Sequence, residues 1–302
     1  MSVNDTYRAS SPEHEPELTA ETTAEQIAEL KEAIPPPLRL CTNAVVAQWH
    51  NETYGTQMTT NDFYCDGCSC RIFPFLQNPF WGTPYATRTK VKTFYASGRM
   101  AQALPVPGAR EGVEALCALG YRLIIVTARG KDSHADSWAW VERWFPGCFH
   151  SMICTGQFAN VGKRETDGVD ALTSARKDHE VATQLSKAEV CIDIGAKLLI
   201  DDSMENALAC AYHIPLDGVT KPPPVLLFGS YEWNKRLSLA SDECNDMVYE
   251  VRLQREGGKF LEEDVKRGDD ILEQANTHLS VRRAGDWGEV VRYITELPFV
   301  TS

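Results

Sequence analysis

At 302 residues and 33.7 kDa, with 43% hydrophobic and 24% charged residues, the chain can bury at least one full core, as one large domain or two small ones. That composition excludes collagen-like, coiled-coil and wholly disordered architectures. A formal charge of −12 without a local basic patch excludes nucleic acid as the expected partner. The longest apolar runs, among them Leu123–Val126 and Val225–Phe228, fall far short of the roughly 18 residues of a membrane helix, so a soluble protein with no membrane partner is expected.

Met1–Glu32 holds eight acidic residues against Arg8 and Lys31, with neither an apolar stretch nor an Arg-rich amphipathic face. It reads as neither a secretory signal nor a transit peptide. Ten cysteines without such a signal fit a reducing compartment, where thiols act as small buried hydrophobes. The cytoplasm is the expected location.

Residues 1–23 are polar and acidic without period and predict a disordered tail. Ile27, Leu30 and Ile34 recur at helical spacing, a short amphipathic helix that Pro35, Pro36 and Pro37 must stop. A second helix is predicted over Thr42–Thr53, with Val45, Val46 and Trp49 on one side. Asn61–Thr83, rich in Cys, Pro, Phe and Gly, shows no period and reads as irregular.

From residue 105 onward, strand-like apolar runs alternate with helical patterns, the signature of a parallel sheet with crossover helices. Val113, Leu116 and Leu119 mark a helix ended by Gly120, and Arg122–Val126 follows as a strand. Trp138, Val141, Trp144 and Phe145 make the next helix, with a short strand near Ser151–Cys154. Beyond a polar insert at 160–179, a helix with Val190, Cys191 and Ile194, capped by Gly195, feeds the strand Lys197–Ile200. Val225–Phe228 is a further strand, 242–275 is charged and weakly patterned, and Trp287, Val290, Val291, Ile294 and Leu297 form a closing helix. The expected fold class is α/β, a doubly wound parallel sheet.

In such a sheet, ligands bind beyond the carboxyl ends of the strands. The residues there are Thr127, Thr155, the pair Asp201 and Asp202, and Gly229, with Arg129 just past Thr127. Lys187 stands at the start of the helix leading into the Asp201 strand. Adjacent carboxylates repel unless a cation compensates, and such an oxygen pair beside a phosphate-sized cleft suits magnesium. A hydroxyl and an ammonium converging there suit phosphate oxygens. Two plainer readings stand beside this one: Asp202 heading a helix capping box with Glu205, and Lys187 as a solvated helix residue.

RLIIVT ending in Thr127, Lys187 at a helix start, and Asp201–Asp202 after a later strand together resemble the haloacid dehalogenase-like (HAD) phosphohydrolase superfamily. PVPGAREGVEALCALGYRLIIVTARG, the IDDS block and VLLFGSYEWNKR are most similar to its cytosolic 5'-(deoxy)nucleotidase-like group, and AVVAQWHNETYGTQMTTNDFY, NPFWGTP and VKTFYASGRM look like that group's small helical cap. The resemblance implies a magnesium-dependent phosphatase acting on a small phosphorylated metabolite such as a nucleoside monophosphate. Thr127 would hold the phosphate with Arg129 as a further contact, Lys187 would neutralise charge, and Asp201 and Asp202 would bind magnesium, only weakly in a chain that lacks the first-motif carboxylate. It also implies an acidic tail over 1–37, then one domain over 38–302, with a cap at about 44–104, a core at about 105–240, a charged insertion at about 242–280 and the closing helix at 286–297.

The family begins with a strand running into DxDx(T/V), whose first Asp attacks phosphorus. Here that place reads IPPPLRLCTN, and no carboxylate occurs from Ala33 to Asn51. Three consecutive prolines cannot supply a central strand's hydrogen bonds, although Leu38–Cys41 offers a stub of strand that would leave Cys41 or Thr42 near the vacant position. Two explanations compete, a degenerate pseudoenzyme that binds a phosphorylated ligand or partner, and a gene model that skipped the motif. The abrupt return to family-like sequence at Thr42, with CDGCSCRIFPFLQ inserted before NPFWGTP, favours the second. In either case this polypeptide is expected to turn over little or no substrate. Cys65, Cys68 and Cys70 raise a zinc reading that lacks a second ligand pair, with Cys41 and His50 as distant candidates. His134, His150, His179 and His213 read as surface or core histidines, and Trp138, Trp140 and Trp144 as packing.

Overall fold

A computed structural model of the chain describes residues 33–34, 40–64, 78–156, 180–182, 185–215, 217–237 and 248–297. The predicted tail, the Cys65/Cys68/Cys70 insert and the polar stretch at 160–179 lie outside them. The protein is a mixed α/β structure whose described strands are parallel and form two sheets. The first sheet runs β1 (Ala33–Ile34), β2 (Arg122–Thr127), β3 (Phe149–Cys154) and β4 (Glu180–Ala182) in that spatial order. The second runs β5 (Leu199–Asp201), β6 (Val225–Phe228) and β7 (Val281–Ala284).

Alternation along these strands places successive side chains in different cores. Leu123, Ile125, Met152 and Cys154 of the first sheet share one cluster with Ile200, Leu226, Phe228 and Ala284 of the second. Helix α1 (Leu40–Tyr54), α2 (Pro84–Ala96), α3 (Ala109–Ala118), α4 (His134–Trp144) and α9 (Trp287–Thr295) add Trp49, Phe94, Val113, Val141 and Val290 to it. On the opposite side, Ile124, Val126 and Ile153 meet Val190 and Ile194 of the α5 region (helix Lys187–Asp193). Leu199, Val225, Leu227 and Val281 meet Met204 and Leu208 of α6 (Met204–Ala211) and Ala275 of α8 (Lys259–Leu279). Apolar residues on both faces of β2, β3, β5 and β6 are thus covered, which is why β2 and β6 read as continuous apolar runs.

The first strand departs from the sequence reading. Ala33–Ile34, expected at the end of a helix, pair in parallel with Arg122 and Leu123. The next three residues are prolines without an N–H, so they cannot donate to a ladder along the remainder of β2. Leu40, expected within a strand stub at Leu38–Cys41, opens α1 instead.

Downstream, the predicted elements of the central region form with small shifts at their ends. Gly120 (φ +84°) and Gly195 (φ +61°) adopt the left-handed conformation past α3 and α5, where other residues pay a steric cost. The charged stretch after 242 contains α7 (Tyr249–Glu256) and the 21-residue α8, and then β7 completes the second sheet. Its inward positions on α8 include Phe260, Asp264, Gly268, Ile271 and Ala275, with Asp264 held by Arg252 (2.6 Å) and Arg267 (2.7 Å). A stripe with an acid and a glycine in it carries little apolar periodicity. Among the described residues no helix is long and apolar enough to cross a membrane.

Candidate functional site

Lys187 is placed by the local sequence around it. Ser186 caps α5, its Oγ accepting from Glu189 N (3.2 Å) while the Glu189 carboxylate accepts from Ser186 N (2.7 Å), a reciprocal capping box. That box fixes Lys187 as the first helical residue. Its ammonium donates to Asp201 Oδ2 at 2.5 Å, across the end of β5. The two side chains are 14% and 4% exposed, so this is a buried ion pair with little screening by water.

The other oxygen of Asp201 is occupied as well. Oδ1 accepts from Ser203 N (2.9 Å) and from Asn206 Nδ2 (3.2 Å). Asp202 and Glu205 are buried alongside. The plainer reading of Asp202 as the head of a capping box does not hold: Ser203 is the N-cap of α6, accepting from Asn206 N (3.2 Å) and donating to Glu205 Oε2 (3.2 Å). The backbone stays extended through Ser203 (φ −103°, ψ 121°), so the helix starts one residue later than the Asp202–Glu205 spacing predicts.

Thr127 and Arg129 form a second group at the carboxyl ends of β2 and β3. Thr127 Oγ1 accepts from Arg129 N (3.3 Å), and the Thr127 carbonyl accepts from Thr155 N (2.8 Å) and Thr155 Oγ1 (3.3 Å). The Arg129 guanidinium donates to Ser137 Oγ (2.7 Å), and its carbonyl accepts from Gly156 N (3.1 Å). The structure thus brings Lys187 onto Asp201 and Arg129 onto Thr127, each pair in direct contact.

The resemblance places magnesium on Asp201 and Asp202, and the donor set can be tested against that ion. Magnesium demands near-octahedral oxygen ligands and gives up its water reluctantly. Both Asp201 oxygens are already engaged, one by an ammonium that would repel a cation, and among the described residues no group of three or more His, Cys, Asp and Glu converges to hold a metal. In this arrangement Asp201 is committed to Lys187 and to the head of α6. Lys187 supplies the compensating positive charge.

A third polar cluster lies between α1 and α2, and the sequence reading had no signal for it. Asn51 is oriented by Nδ2 donating to the Met58 carbonyl (2.8 Å) and Oδ1 accepting from Met58 N (2.7 Å). Thr56 donates its single hydroxyl proton to Asn51 Oδ1 (2.7 Å) and therefore accepts from His50 Nδ1–H (2.7 Å). That leaves the His50 Nε2 lone pair to accept from the Lys90 ammonium (3.1 Å), which also donates to the Phe80 carbonyl (2.9 Å) and sits over the Tyr54 ring (4.8 Å). Burial and then the nearby Lys90 charge lower the His50 pKa to about 4, and burial lowers that of Lys90. With both ring nitrogens committed, His50 is corrected from a distant zinc candidate to a neutral link in a hydrogen-bonded chain.

Comparison with protein-family models, curated proteins and solved structures returned no match. The chemistry open to the site therefore follows from its own groups. A hydroxyl and a guanidinium at the β2 end can donate to anion oxygens. At the β5 end the Asp201 carboxylate is engaged by the Lys187 ammonium. The remaining histidines match their plain readings where described: His134 is buried and stacks on Trp138, and His150 contacts Arg122 at the surface. Trp140 donates to the Ala103 carbonyl (2.7 Å) and packs on the core, as its spacing predicted.

Proposed function

We propose that the chain is a HAD-like protein that binds a small phosphorylated ligand, such as a nucleoside monophosphate, and does not hydrolyse it. The observation that carries this reading is the buried Lys187–Asp201 pair. In the family scheme the lysine neutralises charge beside an aspartate nucleophile. With that nucleophile gone, the lysine is neutralised by Asp201, one of the two carboxylates that follow β5. The order of Thr127, Lys187 and Asp201–Asp202, each at a strand or helix end, supports the family assignment.

A doubly wound core with its middle strand reduced to Ala33–Ile34 accounts for two parallel sheets that share a helix-covered core. The acidic charge and the free thiols among the described cysteines support a cytoplasmic setting rather than a nucleic-acid or membrane partner. Binding is tested by calorimetric titration with inorganic phosphate and with a nucleoside monophosphate, with and without magnesium. The reading expects heat that Arg129→Ala weakens about tenfold or more in affinity, as for loss of a charged hydrogen bond, and that magnesium leaves unchanged. Absence of heat with every ligand would sink the binding half of the proposal.

A further inference from the structure

Cys117 stands in the last turn of α3, and Cys148 in the turn leading into β3. The Cys117 thiol lies 3.4 Å from the Cys148 carbonyl, the two thiols are hydrogen-bonding partners, and both residues are half-exposed. The elements that carry them are rigid. Val113 and Leu116 bury the other side of α3, β3 pairs along its length with β2, and Cys148 N is tied to the Phe145 carbonyl (3.1 Å). Arg110 lies about two turns earlier on the same face of α3 and is paired with Glu114 (2.9 Å).

We propose that Cys117 and Cys148 form a reversible dithiol–disulfide site, oxidised by exchange with a low-molecular-weight disulfide of the glutathione class. Burial, and after it the neighbouring Cys148, pushes the Cys117 thiol up to about 11, so Cys117 holds its proton and the first attack falls to its neighbour across the α3–β3 contact. The Cys148 thiolate attacks one sulfur of the small disulfide, forms a mixed disulfide and releases a small thiolate, which takes up a proton. Cys117 gives its proton to solvent and attacks Cys148 Sγ, the mixed disulfide breaks, and the second small thiol leaves. Two protein thiols are oxidised and one small disulfide is reduced to two thiols. The site stands apart from the Lys187–Asp201 reading and does not depend on it.

A second thiol pair shows what sets this one apart. Cys191 of α5 and Cys210 of α6 also hydrogen-bond, but both are fully buried, and that bond together with burial pushes Cys191 well above the ordinary thiol value. Buried, protonated thiols are inert to exchange in the folded protein.

The full chain, first reduced, is incubated with oxidised glutathione under native conditions and mapped by mass spectrometry without reduction. The proposal expects a Cys117–Cys148 linkage that dithiothreitol reverses, a glutathione adduct stalled on Cys148 in Cys117→Ser, and an unmodified Cys117 in Cys148→Ser. Cys191 and Cys210 stay unmodified. Glutathione adducts on both Cys117 and Cys148 without linkage, no reaction at either, or linkage of either to another cysteine would overturn it.

Discussion

Lys187 and Asp201 are fourteen residues apart in sequence and 2.5 Å apart in space, each the first or last residue of its element. The pair ties the start of α5 to the end of β5. Neither group can lose the other without leaving a charge in a site that water scarcely reaches.

Removing one partner is therefore expected to cost stability. Lys187→Met should lower the unfolding free energy by about 3–5 kcal/mol, because Asp201 is left buried and unpaired. Adding Asp201→Asn to it should recover part of that loss, since the uncompensated charge goes too. Urea unfolding of the two single variants and the double variant measures the coupling. A single-variant cost below about 1 kcal/mol, the size of an exposed pair, would show that the bridge is solvated in solution.

His50 predicts how stability depends on pH. Its folded pKa of about 4 lies below the unfolded value of 6.5, so the unfolded chain binds the proton more readily. Its contribution is fully present above pH 6.5 and is lost as pH falls towards 4, amounting to about 2–3 kcal/mol over that window. His50→Gln should flatten this part of the stability–pH curve relative to the parent. Parallel curves for parent and variant would contradict the neutral, buried histidine.

Gly112 sets how closely α3 approaches α9. A Cβ there would lie 2.5 Å from Trp287 Cε3 and 2.9 Å from its Cβ, and Trp287 is buried. Gly112→Ala should destabilise by about 1–3 kcal/mol through overpacking. Gly120→Ala meets open space and pays only for its φ of +84°, about 1–2 kcal/mol. A third variant, Gly112→Ala with Trp287→Leu, should be less destabilised than the sum of its two changes if the clash is with that ring.

How far the sequence revealed the structure depended on where the apolar signal lay. Arg122–Thr127 and Val225–Phe228 are buried on both faces, so their continuous apolar runs could only be strands or buried helix, and the flanking glycines chose. Helix α8 was hidden because its inward positions include Asp264 and Gly268, one kept inside by arginines and the other by close contact with the Lys235 backbone. β7 was hidden because Arg282 and Arg283 interrupt it, and Arg283 is bonded to the carbonyls of Gly229 (2.7 Å) and Asn234 (3.1 Å). Ile34 matched a helical spacing over too short a span to outweigh tertiary pairing with Leu123.

The site was legible as residue types but not as bonds. Lys187, Asp201, Thr127 and Arg129 stand at the ends of elements, as strand-end reasoning requires. That Lys187 would close on Asp201 was not readable, because positions fourteen residues apart in sequence do not show which acid an ammonium reaches in space. The His50–Lys90 contact joins positions forty residues apart, and a single sequence carries no sign of such a pairing.

The central claim concerns turnover, and phosphate release measures it most directly. The full chain, incubated with a panel of nucleoside monophosphates with and without magnesium, is expected to release no phosphate above the protein-free control, and Asp201→Asn is expected to behave identically. Magnesium-dependent release by the parent that Asp201→Asn abolishes would contradict the account, because it would mean that Asp201 leaves Lys187 to serve a metal and that another residue has taken over the attack on phosphorus.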